Sequence, residues 1–401
     1  MNTETFPKKR WLYLALGTAA MLTMGMIYAW SIYKVPLKET FNFTTGQLAF
    51  NYSVTFCFFC LGNMFGSWLM KRTCARVVIF VSGLLIGCSY ILTGTLQTAS
   101  IILLYIYFGC FLGLGMGMAY PVILSWVAAW FPDRSGFASG VLMMGFGFSA
   151  LVLGKPLSML FDVPGIGWRN TYIITGVMTA LVLIICAIVF SKNAPASYAS
   201  RDKNGNGRQF TPRQVMKRAS FWRFFLYGVL ISALGSSIFA FGYDYCLSVG
   251  ASAGLAATLV GILSAFNGLS RMIFGALYDR IGQKKTIICG SSIIVISAVV
   301  MLTSVFLHSL PLGILGLCLA GLAYGYVPVM GATTIRTFYG GDNFAANYSL
   351  SNTRAFIASF YSPVAAFLLT TFNSFAAPFT LALVCGVAAF FLQFKIRENN
   401  I

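Results

Sequence analysis

Two arginines stand where an apolar helix should exclude them. Arg354 occurs in "YSLSNTRAFIASF" (348–360) and Arg271 in "NGLSRMIFGALYDRIG" (267–282). A charge at the centre of a bilayer costs about 3 kcal/mol on insertion scales, so such a residue normally faces a cavity and has a partner. The nine acids are Glu4, Glu39, Asp133, Asp162, Asp202, Asp244, Asp279, Asp342 and Glu398. Eight read as terminal or loop residues, and only Asp244, near the end of an apolar run, is placed to reach a cavity. Two buried cations therefore face at most one protein anion. The simplest missing partner is a substrate, because a guanidinium offers paired donors to both oxygens of a carboxylate. The bland alternative is that the long side chains snorkel to the surface or bond to helix carbonyls.

These arginines need membrane helices to hold them, and the composition supplies them. Of the 401 residues 58% are hydrophobic and 9% charged, against about 25% charged in soluble domains. Apolar runs long enough to cross a bilayer recur throughout. Twelve spans are predicted, at 11–33, 47–70, 77–97, 101–127, 136–157, 168–190, 221–244, 253–277, 286–307, 312–335, 345–371 and 376–394. With the N-terminus inside, 21 of the 27 basic residues fall on the cytoplasmic side, while Lys34, Lys38, Lys155 and Arg169 fall outside. That bias places both termini in the cytoplasm. It accounts for the net charge of +18 through topology and anionic lipid, with no nucleic-acid partner. The fold class is thus an all-α, multi-pass protein of the cell (inner) membrane.

The ten cysteines are scattered and read as free thiols; the lone histidine, His308, cannot build a metal site or proton relay. Neither a metal nor a cofactor is expected. No nucleophile elbow, phosphate loop or histidine pair appears, so the chain does not read as an enzyme.

The longest polar segment, 191–220, divides six spans from six: residues 1–190 form one half, 191–220 a cytoplasmic linker, and 221–401 the other half. Sliding the sequence by 207 residues places Pro121 on Pro328, Phe131 on Phe338, Phe137 on Phe344 and Ala138 on Ala345. This is a weak repeat of parallel halves. Gly109, Gly113 and Gly117 make overlapping G-x-x-x-G steps suited to close helix packing.

The segment "GALYDRIGQKK" (275–285) resembles the loop signature of the major facilitator superfamily. The resemblance makes Gly275, Asp279 and Arg280 a conformational latch between spans eight and nine, with Gly275 permitting close helix approach. The equivalent first-half loop, "GSWLMKRTCAR" (66–76), has Met70 where the acid belongs. The segments "GMIYAWSIY" (25–33), "WFPDRSGFASG" (130–140) and the surroundings of Arg271 resemble the oxalate:formate antiporter family within that superfamily. By that resemblance Arg271 binds substrate, and Arg354 stands where the oxalate branch carries a lysine. Tyr28 and Tyr120 match family tyrosines, and Tyr324 stands where the family often has tryptophan. Trp30 and Asn267, the latter one turn from Arg271, complete the expected substrate-binding set.

The expected function is a secondary transporter, acting as a monomer, that exchanges small carboxylate anions by alternating access. Its rivals are a proton-coupled monocarboxylate symporter, for which Asp244 is the candidate proton carrier, and a transporter-like sensor. The topology yields a direct expectation. In sealed, right-side-out cells an impermeant thiol reagent should label a cysteine placed at Ser309 and spare one placed at Gly205; labelling at 205 would reverse the orientation.

Overall fold

The structure is a computed structural model, and it describes residues 8–131, 135–190, 209–340 and 343–396. Regular structure among them is entirely helical, with twelve helices long and apolar enough to cross a membrane. They run Lys9–Phe41, Thr45–Met70, Ala75–Gly94, Ile101–Ala129, Phe137–Asp162 and Gly167–Val189 in the first half (spans one to six). The second half contains Ala219–Ser248, Ala253–Tyr278, Arg280–Phe306, Leu310–Tyr339, Ala346–Phe372 and Ala376–Lys395 (spans seven to twelve). Each agrees with its sequence expectation to within a few residues except span one, which continues eight residues beyond residue 33. Lys34, expected in an outside loop, is therefore inside a helix and only 4% exposed.

Local chemistry sets the boundaries. Asn42 (φ +54°) and Asn373 (φ +46°) terminate spans one and eleven in the left-handed region, which asparagine tolerates. Thr44 and Gln47 then form a reciprocal capping box that starts span two, with bonds of 3.2 and 2.9 Å. Spans eight and nine run together as Ala253–Phe306, interrupted only at Gly282, where φ is +76° and ψ 171°. A side chain there would be strained, which explains the glycine.

Four spans break their own helical regularity; span five widens over Ala150–Gly154 and tightens over Met159–Asp162. Span one tightens to a 3-10 stretch over Gly25–Ala29. Span four widens over Tyr105–Leu112. Span eleven is three pieces, Phe344–Asn352, Arg354–Ser359 and Tyr361–Phe372. Such irregularity within a membrane is tolerated where protein or a cavity covers the freed backbone groups.

The expected linker is only partly described. Residues 191–208 lie outside the described residues, and 209–220 is no free tether. The Phe210 amide donates to the Tyr339 carbonyl (3.1 Å) and Asn347 donates to the Phe210 carbonyl (2.9 Å), fixing this segment to the second half.

Small residues set the helix spacing. A Cβ added to Gly113 would lie 2.8 Å from that of Phe58, and one on Gly117 3.0 Å from the Asn63 nitrogen, so spans two and four touch through backbone. Between the halves, Gly147 of span five meets Gly268 of span eight. Ser53 donates to the Ser359 carbonyl (2.7 Å) and Ser362 to the Ala49 carbonyl (3.3 Å), joining spans two and eleven. Replacing Gly117 with Leu should overpack the two–four contact and cost about 1–3 kcal/mol. It would be read as a lower melting temperature in detergent, whereas Gly254→Leu, where a Cβ would meet nothing within 4 Å, should leave that temperature unchanged.

Candidate functional site

A cavity of about 90 Å³ lies between helices of the two halves. Span one supplies Ile27 and Tyr28; span two Thr55, Phe56 and Phe59; span four Met116 and Tyr120; span five Phe146. The second half supplies Ser232 from span seven, Arg271 from span eight, Tyr324, Val327 and Pro328 from span ten, and Tyr348, Asn352, Arg354 and Ala355 from span eleven. Spans three, six, nine and twelve contribute nothing to this lining. The eight contributing helices occupy equivalent positions in the two halves.

Both arginines face this one space. Arg271 is 4% exposed and Arg354 3%. Arg271 reaches across to the first half, where its Nη1 donates to the Met143 carbonyl at 2.8 Å and its Nη2 to the Tyr28 hydroxyl at 3.1 Å. Its Nε has no partner. The Phe146 ring lies 5.9 Å from the guanidinium carbon. Arg354, by contrast, is held within its own half. Its Nη1 donates to the Ser351 hydroxyl (3.0 Å) and carbonyl (3.2 Å), and its Nη2 to the Val327 carbonyl (3.2 Å). The break in span eleven at Thr353 places it at the start of a new helical piece. Its stem and head pass two glycines: a Cβ at Gly331 would lie 2.7 Å from Nη2, and one at Gly228 would lie 2.9 Å from Nε.

Among the described residues neither guanidinium has a carboxylate partner. Carbonyls and hydroxyls satisfy some donors without cancelling the charge, and a low-dielectric setting makes what remains expensive. The described ion pair lies elsewhere, between Lys34 and Asp244 at 2.6 Å. That pairing occupies the only acid expected to serve the cavity, because span one extends far enough to bring a lysine to it.

Aromatic rings complete the walls. Tyr28 packs on Phe239 and Phe146 at centroid distances of 4.5 and 5.4 Å. Tyr120 packs on Phe146 and Phe59 (5.3 and 5.9 Å), and Tyr324 on Phe239 (5.3 Å). Such walls exclude water and strengthen any charge-assisted bond formed inside.

The structure thus brings together Arg271, Arg354, Tyr28, Tyr120 and Tyr324, but not Trp30 or Asn267. Trp30 is two residues past Tyr28, hence on the other side of the helix; it packs on Phe108 at 4.6 Å, 1% exposed. Asn267 shares a face with Arg271, but span ten closes over it. Gly321 and Gly325 have no side chains to hold that helix away, and a Cβ on Gly321 would lie 3.2 Å from the Asn267 nitrogen. Ser232, Thr55, Tyr348 and Asn352 went unnominated because an uncharged polar residue in a membrane helix stands out weakly in sequence.

The expected latch is altered. A Cβ on Gly275 would meet nothing within 4 Å, so the close helix approach expected there is absent in this conformation. The matching Gly66 does sit tightly, 2.6 Å from Cβ to the Met118 Cα. Arg280 is exposed, and the side chain of Asp279 lies outside the described residues. The turn is fixed instead to span ten through Tyr278–Thr337 (2.6 Å) and Gln283–Thr334 (3.1 Å).

Comparison with known proteins follows the same lines. The family model of the Major Facilitator Superfamily matches residues 14–363 and, in a second match, 229–399. The oxalate:formate antiporter of Oxalobacter formigenes is 25% identical over 394 residues, covering 93% of this chain and 90% of its own. The uncharacterized MFS-type transporter YhjX of Escherichia coli (strain K12) is 24% identical over 355 residues, covering 87% and 86%. Monocarboxylate transporter 12 of Rattus norvegicus is 26% identical over 394 residues, covering 90% and 79%. Among solved structures, a D-xylose-proton symporter aligns with a TM-score of 0.78 at 14% identity, covering 96% of this chain and 97% of that one. This last likeness concerns the fold alone.

The seat of Arg354 can be tested without removing its charge. Gly331→Ala should displace the guanidinium and weaken binding of anions that use it about tenfold, the loss of one charge-assisted bond. Equilibrium binding in detergent would measure this, and unchanged affinity would show that Arg354 does not need this seat.

Proposed function

The chain belongs to the Major Facilitator Superfamily, and from that premise we propose that it exchanges small carboxylate anions across a membrane by alternating access. One observation carries the reading: Arg271 and Arg354 face a single cavity and, among the described residues, have no carboxylate beside them. A bound carboxylate supplies the missing charge. With one guanidinium on span eight and one on span eleven, a dicarboxylate engages both and a monocarboxylate needs only Arg271. Similarity to an oxalate:formate antiporter and to a monocarboxylate transporter supports this substrate class.

Exchange follows from the same imbalance. An empty carrier closing around two unpaired cations carries an electrostatic cost that a bound anion offsets. The loaded form then reorients readily and the empty form slowly. Asp244, the candidate carrier of the proton-symport alternative, is paired with Lys34 and does not line the cavity, which favours exchange.

In this reading the two halves, residues 1–190 and 221–401, rock about the cavity, with both termini cytoplasmic in a cell (inner) membrane. The chain works as a monomer, its basic ends against lipid headgroups. The latch role of Asp279 and Arg280 belongs to a conformation other than this one. The end away from the termini, which faces outside, is the closed one here: Lys34–Asp244, Lys155–Thr258 (2.6 Å) and Ser362–Ala49 cross it between the halves.

Counterflow in proteoliposomes tests the proposal. Vesicles preloaded with unlabelled oxalate or formate should take up label several-fold faster than empty ones. Arg271→Gln should abolish uptake of both anions, and Arg354→Gln should weaken oxalate tenfold or more while affecting formate less. Equal losses for the two anions would return Arg354 to a structural role. Equally fast uptake into empty vesicles, dependent on an inward proton gradient, would replace exchange by symport.

A further inference from the structure

The Lys34–Asp244 pair has no task in the cavity. The Lys34 Nζ donates to Asp244 Oδ2 at 2.6 Å and to the Ala240 carbonyl at 2.8 Å, and lies 4.3 Å from the centre of the Phe241 ring. Lys34 belongs to span one in the first half; the three residues that hold it belong to span seven in the second. While the outer end is shut, these contacts bind the halves together. Alternating access requires that end to part, and Lys34 then loses carboxylate, carbonyl and ring in one movement.

The two partners are not equally placed for that separation. The Asp244 side chain is 32% exposed and already reaches water, whereas the Lys34 side chain is 5% exposed, its ammonium covered by the span-seven residues that hold it. An ammonium stripped of its anion at this depth in the closed end is itself an anion site. In the shut state the protein fills that site with a carboxylate, the same chemistry as the proposed cargo. We infer that Lys34 is an outer carboxylate station, occupied by Asp244 while the outer end is shut and by an external carboxylate when it opens. The inference rests on the carboxylate-transport reading and extends it. An arriving anion takes over Lys34 as Asp244 departs, so the outer end opens without leaving the lysine bare, and the anion then moves inward to the arginines. Lys155, at the same end, does not share this role, since its partner is the Thr258 hydroxyl.

The test uses a reporter cysteine, Ala240→Cys, beside Lys34, in the full-length protein in sealed, right-side-out cells. Labelling by an impermeant maleimide is measured against the same variants without that cysteine. Labelling should be slow in the otherwise native protein and several-fold faster with Asp244→Asn, which leaves the outer end unlatched and Lys34 vacant. External oxalate should slow it again in Asp244→Asn but not in the double variant Lys34→Gln/Asp244→Asn. The charge exchange Lys34→Asp/Asp244→Lys, which keeps a pair, should restore slow labelling and guards against loss of fold in the double variant. Unchanged labelling with Asp244→Asn would overturn the latch. Equal protection by oxalate with and without Lys34 would overturn the station. Adding Arg271→Gln separates the two levels: protection that survives it keeps the outer station even where central transport is lost, and protection that vanishes with it assigns the anion to the cavity and removes the station.

Discussion

Two guanidiniums buried to within a few per cent, with no carboxylate beside them among the described residues, are the constraint to which the rest of this molecule answers. A charge in a low-dielectric interior must be paired, hydrated or distributed over dipoles. Here distribution is the device. The Met143, Ser351 and Val327 carbonyls and the Tyr28 and Ser351 hydroxyls each take one donor. Of these acceptors the Ser351 carbonyl lies beside the break in span eleven, and Tyr28 stands in the tightened stretch of span one.

The remaining membrane interior has little free energy to draw from a hydrophobic effect, since lipid is as apolar as the helix faces, so close packing must hold the bundle. Glycine fulfils this in two distinct ways. Gly113 and Gly117 bring spans two and four into backbone contact inside one half, a permanent arrangement. Gly147 against Gly268, and the serine bonds between spans two and eleven, form seams between the halves. A seam of small side chains and single hydrogen bonds is held more weakly than the aromatic walls on either side of it.

Much of this was legible in sequence because membranes simplify the code. Span positions followed from uninterrupted apolar length, and the two arginines announced the cavity because charge there is costly and rare. Tyr28, Tyr120 and Tyr324 were found through resemblance and do line it. What sequence missed is what depends on the third dimension. Trp30 and Asn267 were nominated by adjacency, but helical rotation turns the first away and two glycines of span ten seal off the second. Lys34 was assigned to a loop because a lysine usually ends a span, and its burial could be foreseen only by knowing that Asp244 would stand opposite. Gly282 was passed over although its backbone conformation forms the whole turn between spans eight and nine. Gly275, named for close packing, has open space around it, because a glycine in a sequence does not show which neighbour, if any, approaches it.

That turn bears on how the chain reaches the membrane at all. Two helices meet at Gly282 with no loop between them, so spans eight and nine are joined as closely as two membrane helices can be. Span eight carries Arg271 and is the less apolar of the two, which makes it a reluctant passenger for the insertion machinery; a central arginine alone counts about 2.5–3.5 kcal/mol against it. Span nine is strongly apolar beyond the basic cluster Arg280, Lys284 and Lys285 at its start, a combination that favours keeping the turn on one side of the membrane. Joined by so short a turn, the two are suited to insertion as a hairpin, in which the apolar arm offsets the cost of the charged one. The arginine that faces the cavity in the finished protein is thus also the costliest residue of its span to place in a membrane.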